Sequence, residues 1–147
     1  MLWIWCLTIT LKPKSLFLVN SIYPTRVADA LLAKAKVGNG GAANFIIKYG
    51  LYRRLLGMRN AFSEADNLVM LDDLDACNNY ELDLNDIKNA EIPISIILGS
   101  KDRLVDLKAV ENFTDIVPCQ TYTMNEVGHF SFFEDPVELS RLISTIV

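Results

Sequence analysis

The sequence predicts an α/β fold, a parallel sheet with helices on its faces, and three observations carry that prediction. Two short apolar runs, residues 15–21 and 94–98, and one alternating stretch, Gln120–Met124, have strand length and are separated by segments of helical periodicity. The run at 94–98 reads ISIIL, β-branched and continuously apolar, as in a strand buried on both faces. From residue 92 onward the order is strand, helix, strand, helix, and strands joined through helices pair in parallel.

Taken in order, residues 1–11 (MLWIWCLTITL) are almost wholly apolar, with no Lys or Arg before them and no small-x-small cleavage site after. A bilayer-spanning helix needs about 20 apolar residues, so no integral membrane span is expected. The stretch reads as a segment packed in a core, or as non-native sequence from a truncated or misjoined reading frame. After Lys12-Pro13-Lys14, the strand at 15–21 ends at Tyr23-Pro24-Thr25. Thr25 is the expected N-cap of a helix over 26–37, with Val27, Leu31 and Ala35 on one face. Glycines at 38, 40 and 41 stop it. A helix over 42–58 follows, broken or kinked at Gly50, with Phe45, Ile46 and Tyr49 on one side and Tyr52, Leu55 and Leu56 on the other. Ser63 is the expected cap of a further helix, with Glu64 and Asp66 in its first turn. Residues 72–79 read as an acidic turning region and 85–91 as a polar lead-in to Ile92-Pro93. Beyond the strand at 94–98, a helix over 106–116 turns Leu107, Val110, Phe113 and Val117 inward. The strand Gln120–Met124, a loop over 125–133 and a helix opened by Pro136 complete the chain, with Leu139, Leu142, Ile143 and Ile146 on one face of that helix.

Charge and cysteine usage narrow the function classes. The net charge of −4 divides into +8 over residues 1–62, where nine Lys/Arg oppose Asp29 alone, and −12 over 63–147, where five oppose seventeen. No basic run exceeds two residues, so solvated helix faces explain the asymmetry and no nucleic-acid partner is expected. A weaker reading places the basic stretch 34–59 on anionic membrane surfaces. Cys6, Cys77 and Cys119 are odd in number and far apart, which fits neither a disulfide framework nor a zinc site. A reducing, cytoplasmic setting follows.

Two loop residues carry the chemistry. Asp102 follows the strand at 94–98 through Gly99-Ser100-Lys101, and His129, the single histidine, follows Gln120–Met124 through a loop with Gly128 before it. Sites in open parallel sheets form beyond the carboxyl ends of strands, where both residues fall. A loop acid alone is more often a helix cap and a lone loop histidine more often incidental. Asp106, directly before the helical pattern, is the better cap, and the matched placement of acid and histidine on successive strands favours an Asp–His pair. Such a pair activates a nucleophile.

The stretch 92–136 resembles the C-terminal portion of α/β-hydrolase fold proteins. Ile92-Pro93 through Gly99 to Asp102 matches that family's acid strand, I-P-x-x-x-x-x-G-x-x-D, and Gly128-His129-Phe130 through Glu134 and Pro136 matches its histidine loop. Arg103-Leu104-Val105 fits as well. The resemblance implies that Asp102 is the acid and His129 the base of a Ser-His-Asp triad, in the chain order of that fold. It implies hydrolysis of an ester or related acyl bond, with carbon–carbon cleavage as a neighbouring possibility. It also implies a small-molecule substrate with a partly apolar group, and no metal or organic cofactor. Residues 1–25 would be residual core with one strand, 26–91 a helical cap or lid, and 92–147 the C-terminal core. Phe45, Tyr49, Leu55 and Met58 would line the pocket under the lid or pack its helices.

The nucleophile elbow G-x-S-x-G of that family occurs nowhere in the 147 residues, nor does a glycine-rich oxyanion loop. Ser100 lies in the acid loop, Ser21 lacks flanking glycines, and Cys6 sits in an apolar context that would keep it inert. A truncated α/β-hydrolase fold without triad catalysis of its own is therefore expected. The rival reading is a non-catalytic interaction module or the product of a shortened reading frame, self-associating through an exposed sheet edge.

Overall fold

A computed structural model describes residues 13–53 and 67–147 of the chain. The expectations for residues 1–11, Leu55, Leu56, Met58, Ser63, Glu64 and Asp66 lie outside the described residues. Three strands form one parallel sheet in the order β1 (Leu16–Val19), β2 (Ile94–Gly99), β3 (Gln120–Met124). Leu16 pairs with Ile94 and Val19 with Ile97 on one side of β2, and Ser95 with Gln120 through Gly99 with Met124 on the other. β2 is buried along its whole length, as its β-branched run predicts.

The two faces of β2 make two cores. Ile94, Ile96 and Leu98 pack with Leu18 against Ala109, Val110, Phe113 and Val117 of the α5 region (helix Leu107–Ile116), and with Ile87 of α4 (Leu84–Asn89). Ile97 on the opposite face packs with Met124 and Val127 against Leu139, Leu142, Ile143 and Ile146 of α7 (Pro136–Ile146). The four apolar positions read from the period of the last helix share that one core. A third cluster stands apart. Leu31 and Ala35 of α1 (Asp29–Val37) and Ala42, Phe45 and Ile46 of α2 (Gly41–Gly50) pack with Met70, Leu71 and Leu74 of α3 (Asn67–Asn79).

Several local expectations are corrected. Thr25 does not cap α1, which begins four residues later at Asp29; the Thr25 hydroxyl turns back to donate to the Ile22 carbonyl (3.0 Å). Residues 72–79 are helical, because Met70, Leu71 and Leu74 bury one side of α3 and packing overrides the turn-forming composition. Residues 84–89 form a helix too, capped by Asp83, whose carboxylate accepts from the Asn85 N–H (2.8 Å). Leu107 points outward, 66% exposed, since the inward face of α5 runs through Ala109, Val110 and Phe113. Asp106 caps α5 by accepting from the Lys108 N–H (2.9 Å). Helix α2 does end at Gly50. Within the expected loop 125–133, residues from Ser131 already belong to α6 (Ser131–Glu134).

Candidate active site

Parallel pairing brings the carboxyl ends of β1, β2 and β3 to one side of the sheet, and the loops leaving them carry Asn20, Asp102 and His129. The loops after β2 and β3 approach so closely that only glycine fits between them. A Cβ on Gly99 would overlap the carbonyl oxygens of Val127 and Gly128. One on Gly128 would overlap the Gly50 carbonyl and come within 2.7 Å of Glu134 Oε1. The Lys101 N–H donates to the Val127 carbonyl (2.9 Å) and the Ser100 N–H to the Met124 carbonyl (2.9 Å), locking one loop to the other.

Across this seam His129 Nδ1 lies 2.9 Å from Asp102 Oδ2. The Asp102 side chain is 4% exposed and that of His129 28%. Asp102 Oδ1 accepts from the N–H groups of Leu104 (2.8 Å) and Val105 (3.2 Å), and Oδ2 also accepts from Asn20 Nδ2 (3.0 Å). Burial pushes the Asp102 carboxyl up. Hydrogen bonding and charge from His129, with the Leu104 N–H and the Asn20 amide, outweigh burial and hold it below the ordinary aspartate value. An ionised, acceptor-only carboxylate fixes the proton of neutral His129 on Nδ1 and leaves Nε2 as the acceptor nitrogen.

His129 is fixed from its backbone side too. Its N–H donates to the carbonyl of Gly50, the last residue of α2 (2.6 Å). Glu134 of α6 is buried and takes three backbone donors, Gly128 on Oε1 (3.1 Å) and Tyr52 (3.1 Å) and Arg53 (2.8 Å) on Oε2. The end of α2 is thereby tied to the histidine loop. The imidazole meets the Phe130 ring edge-on at 5.3 Å between centroids.

His129 lines a cleft of about 280 Å³ with Ile22, Leu104, Val105, Phe130 and Phe132, together with Ser21 and Arg26. Phe45 and Tyr49 are not among its lining residues. Phe45 packs in the helical cluster, and the Tyr49 ring lies 4.5 Å from the Phe45 ring and beneath Arg103. Among the described residues no group of three or more His, Cys, Asp or Glu could hold a metal ion, and no helix is long and apolar enough to cross a membrane. Cys77 and Cys119 are unpaired thiols.

Sequence reasoning placed Asp102 and His129 here and missed Asn20, Ser131 and the bracket made by Glu134. Asn20 ends a strand at the same sheet edge, a signal that was available; its pairing with residues 82 and more positions away was not.

No protein-family model matches the chain, and no curated protein does. Solved structures do. An esterase from Exiguobacterium antarcticum superposes with a TM-score of 0.79 at 13% identity, covering 97% of this chain and 60% of its own. An N-acyl homoserine lactone degrading enzyme gives 0.78 at 16% identity, covering 97% and 61%. An alpha/beta hydrolase enzyme from a Medee basin deep-sea metagenome library gives 0.70 at 17% identity, covering 95% and 57%. The chain has the α/β-hydrolase fold over the stretch it spans, and it spans about 60% of the length of these structures.

Proposed function

We propose that Asp102 and His129 are the acid and base of a Ser-His-Asp hydrolase of esterase type, acting on ester or related acyl bonds. The 2.9 Å contact between His129 Nδ1 and an ionised, buried Asp102, with His129 on an apolar cleft, carries this reading. In such a triad Nε2 takes the proton of a serine hydroxyl as it attacks the acyl carbon. The imidazolium that forms is stabilised by Asp102 and returns the proton to the leaving group. The serine and the oxyanion donors must come from sequence other than these 147 residues, which contain no G-x-S-x-G elbow. The chain alone is therefore expected to lack turnover, since the oxyanion donors and the nucleophile supply the largest contributions. Fold neighbours described as an esterase and as a lactone-degrading enzyme support the acyl-bond assignment.

Ile22, Leu104, Val105, Phe130 and Phe132 favour a small-molecule substrate with a partly apolar acyl or alkyl group. We read residues 26–91 as a cap over a core made of 1–25 and 92–147; the separate apolar cluster of α1, α2 and α3 supports this. The setting we assign is cytoplasmic. Treating the native product in its source with a fluorophosphonate probe tests the proposal. A labelled product carrying Asp102 and His129, whose labelling is lost in H129A, is expected, and the 147-residue chain alone should stay unlabelled. Labelling of the isolated chain would place the nucleophile within it and overturn the division of parts.

A second reading rests on β1, which pairs with β2 on one side and has no strand on its other side among the described residues. An edge of that kind takes up another chain, so the isolated protein should self-associate. Sedimentation as a clean monomer would remove this reading.

A further inference from the structure

Asn20 follows β1, is 2% exposed and has φ +48, a left-handed conformation that asparagine tolerates better than most residues. Its side-chain amide is fully committed. Nδ2 donates to Asp102 Oδ2 (3.0 Å) and to the Gly128 carbonyl (3.1 Å), and Oδ1 accepts from the buried Ser131 hydroxyl. Two acceptors face the NH2 group and one donor faces the oxygen, so the amide has one chemically allowed orientation. One side chain therefore joins the strand end, the acid loop and the histidine loop.

We propose that Asn20 is a positioning residue for the Asp102–His129 pair: it sets the spacing of the two loops and occupies the last acceptor position on Asp102. This rests on the triad reading of that pair. A carboxylate offers about four lone-pair sites. Leu104 and Val105 take those of Oδ1, and His129 and Asn20 take those of Oδ2. The donors on both oxygens stabilise the ionised carboxylate and lower its basicity, so when Nε2 takes up a proton the Nδ1 proton stays on the imidazole instead of passing to the acid. His129 is the titratable group in contact with Asp102; Lys101, Arg103 and Asp106 of the same loop are exposed, and Glu134 contacts the N–H of Gly128 instead.

The single histidine makes the test clean, because its ring resonances report the titration of Asp102 without overlap. In N20D, a near-isosteric change that keeps the tolerated backbone conformation, two carboxyl groups share one site. The upper of their coupled midpoints, read at His129, is expected to rise by more than about one pH unit over that of Asp102 in the unmodified chain. An unchanged low-pH inflection in folded N20D, with only a lowered melting temperature, would reduce Asn20 to a structural role and overturn the proposal. In the unmodified chain the Asn20 side-chain amide protons should shift with the same midpoint as the low-pH Asp102 inflection sensed at the His129 ring, a readout independent of whether N20D folds; amide protons that ignore the Asp102 titration would also overturn it. D102N should abolish the low-pH inflection. Its persistence there would overturn the pair itself, whereas its loss combined with a silent N20D would overturn Asn20 alone.

Discussion

Two buried carboxylates lie on either side of Gly128, and the regions they serve are built on different donors. Asp102, in the loop after β2, receives two backbone N–H groups and two side-chain donors, one of them the imidazole of His129. Glu134, in α6, receives backbone N–H groups only, from Gly128, Tyr52 and Arg53. Both acids are satisfied, so burial does not tell them apart. The identity of the donors does. An acid held by a titratable ring beside a cleft can take part in proton transfer, and one held by backbone alone is a bracket that fixes where the chain after α2 meets the histidine loop.

Substitution separates the two roles. The largest effect is expected for G128A, whose methyl would press on the Gly50 carbonyl, on Glu134 Oε1 at 2.7 Å and on the Tyr52 nitrogen at 2.8 Å, disturbing both regions. A loss of about 3 kcal/mol is expected in chemical denaturation. E134A strands three backbone donors and should cost about 2–3 kcal/mol in the same denaturation measurement. D102N should cost about 1–2 kcal/mol at pH 7 and should flatten the acid limb of the stability profile. The sign follows from the depressed carboxyl. Its contribution to stability is fully present above the unfolded-state value of about 3.9 and is lost as pH falls through the lower folded-state value, so acidification unfolds the native chain more steeply than D102N. A D102N acid limb as steep as that of the unmodified chain would erase the distinction between the two carboxylates. The smallest effect belongs to R53A. Its guanidinium reaches the Glu134 carbonyl (3.1 Å) and Asp135 (3.4 Å) from an exposed position, and its removal should cost less than about 1 kcal/mol in the same denaturation measurement.

Asp102 and His129 were legible because each follows a strand whose β-branched or alternating pattern is local. The inward faces of α5 and α7 were legible through their period, apart from Leu107, which lies at the helix start and off the buried stripe. The Asp83 cap was readable, since an aspartate directly precedes Leu84, but the polar stretch around it obscured the helix. The continuation of α3 through residues 72–79 was not legible, because its cause is the packing of Met70, Leu71 and Leu74 on two other helices. Asn20 and Ser131 were invisible as partners for the same reason. A link between positions 111 residues apart leaves no periodic trace, and neither residue type is unusual at the end of a strand or the start of a short helix.

The most direct measurement is the ring tautomer of His129 by ¹⁵N NMR at a pH where the imidazole is neutral, in the unmodified chain and in D102N. If Asp102 orients the ring, Nδ1 carries the proton and Nε2 is the bare acceptor, and D102N loses that preference. A predominant Nε2–H form in the unmodified chain, or a tautomer indifferent to D102N, would contradict the pair on which the assigned chemistry depends.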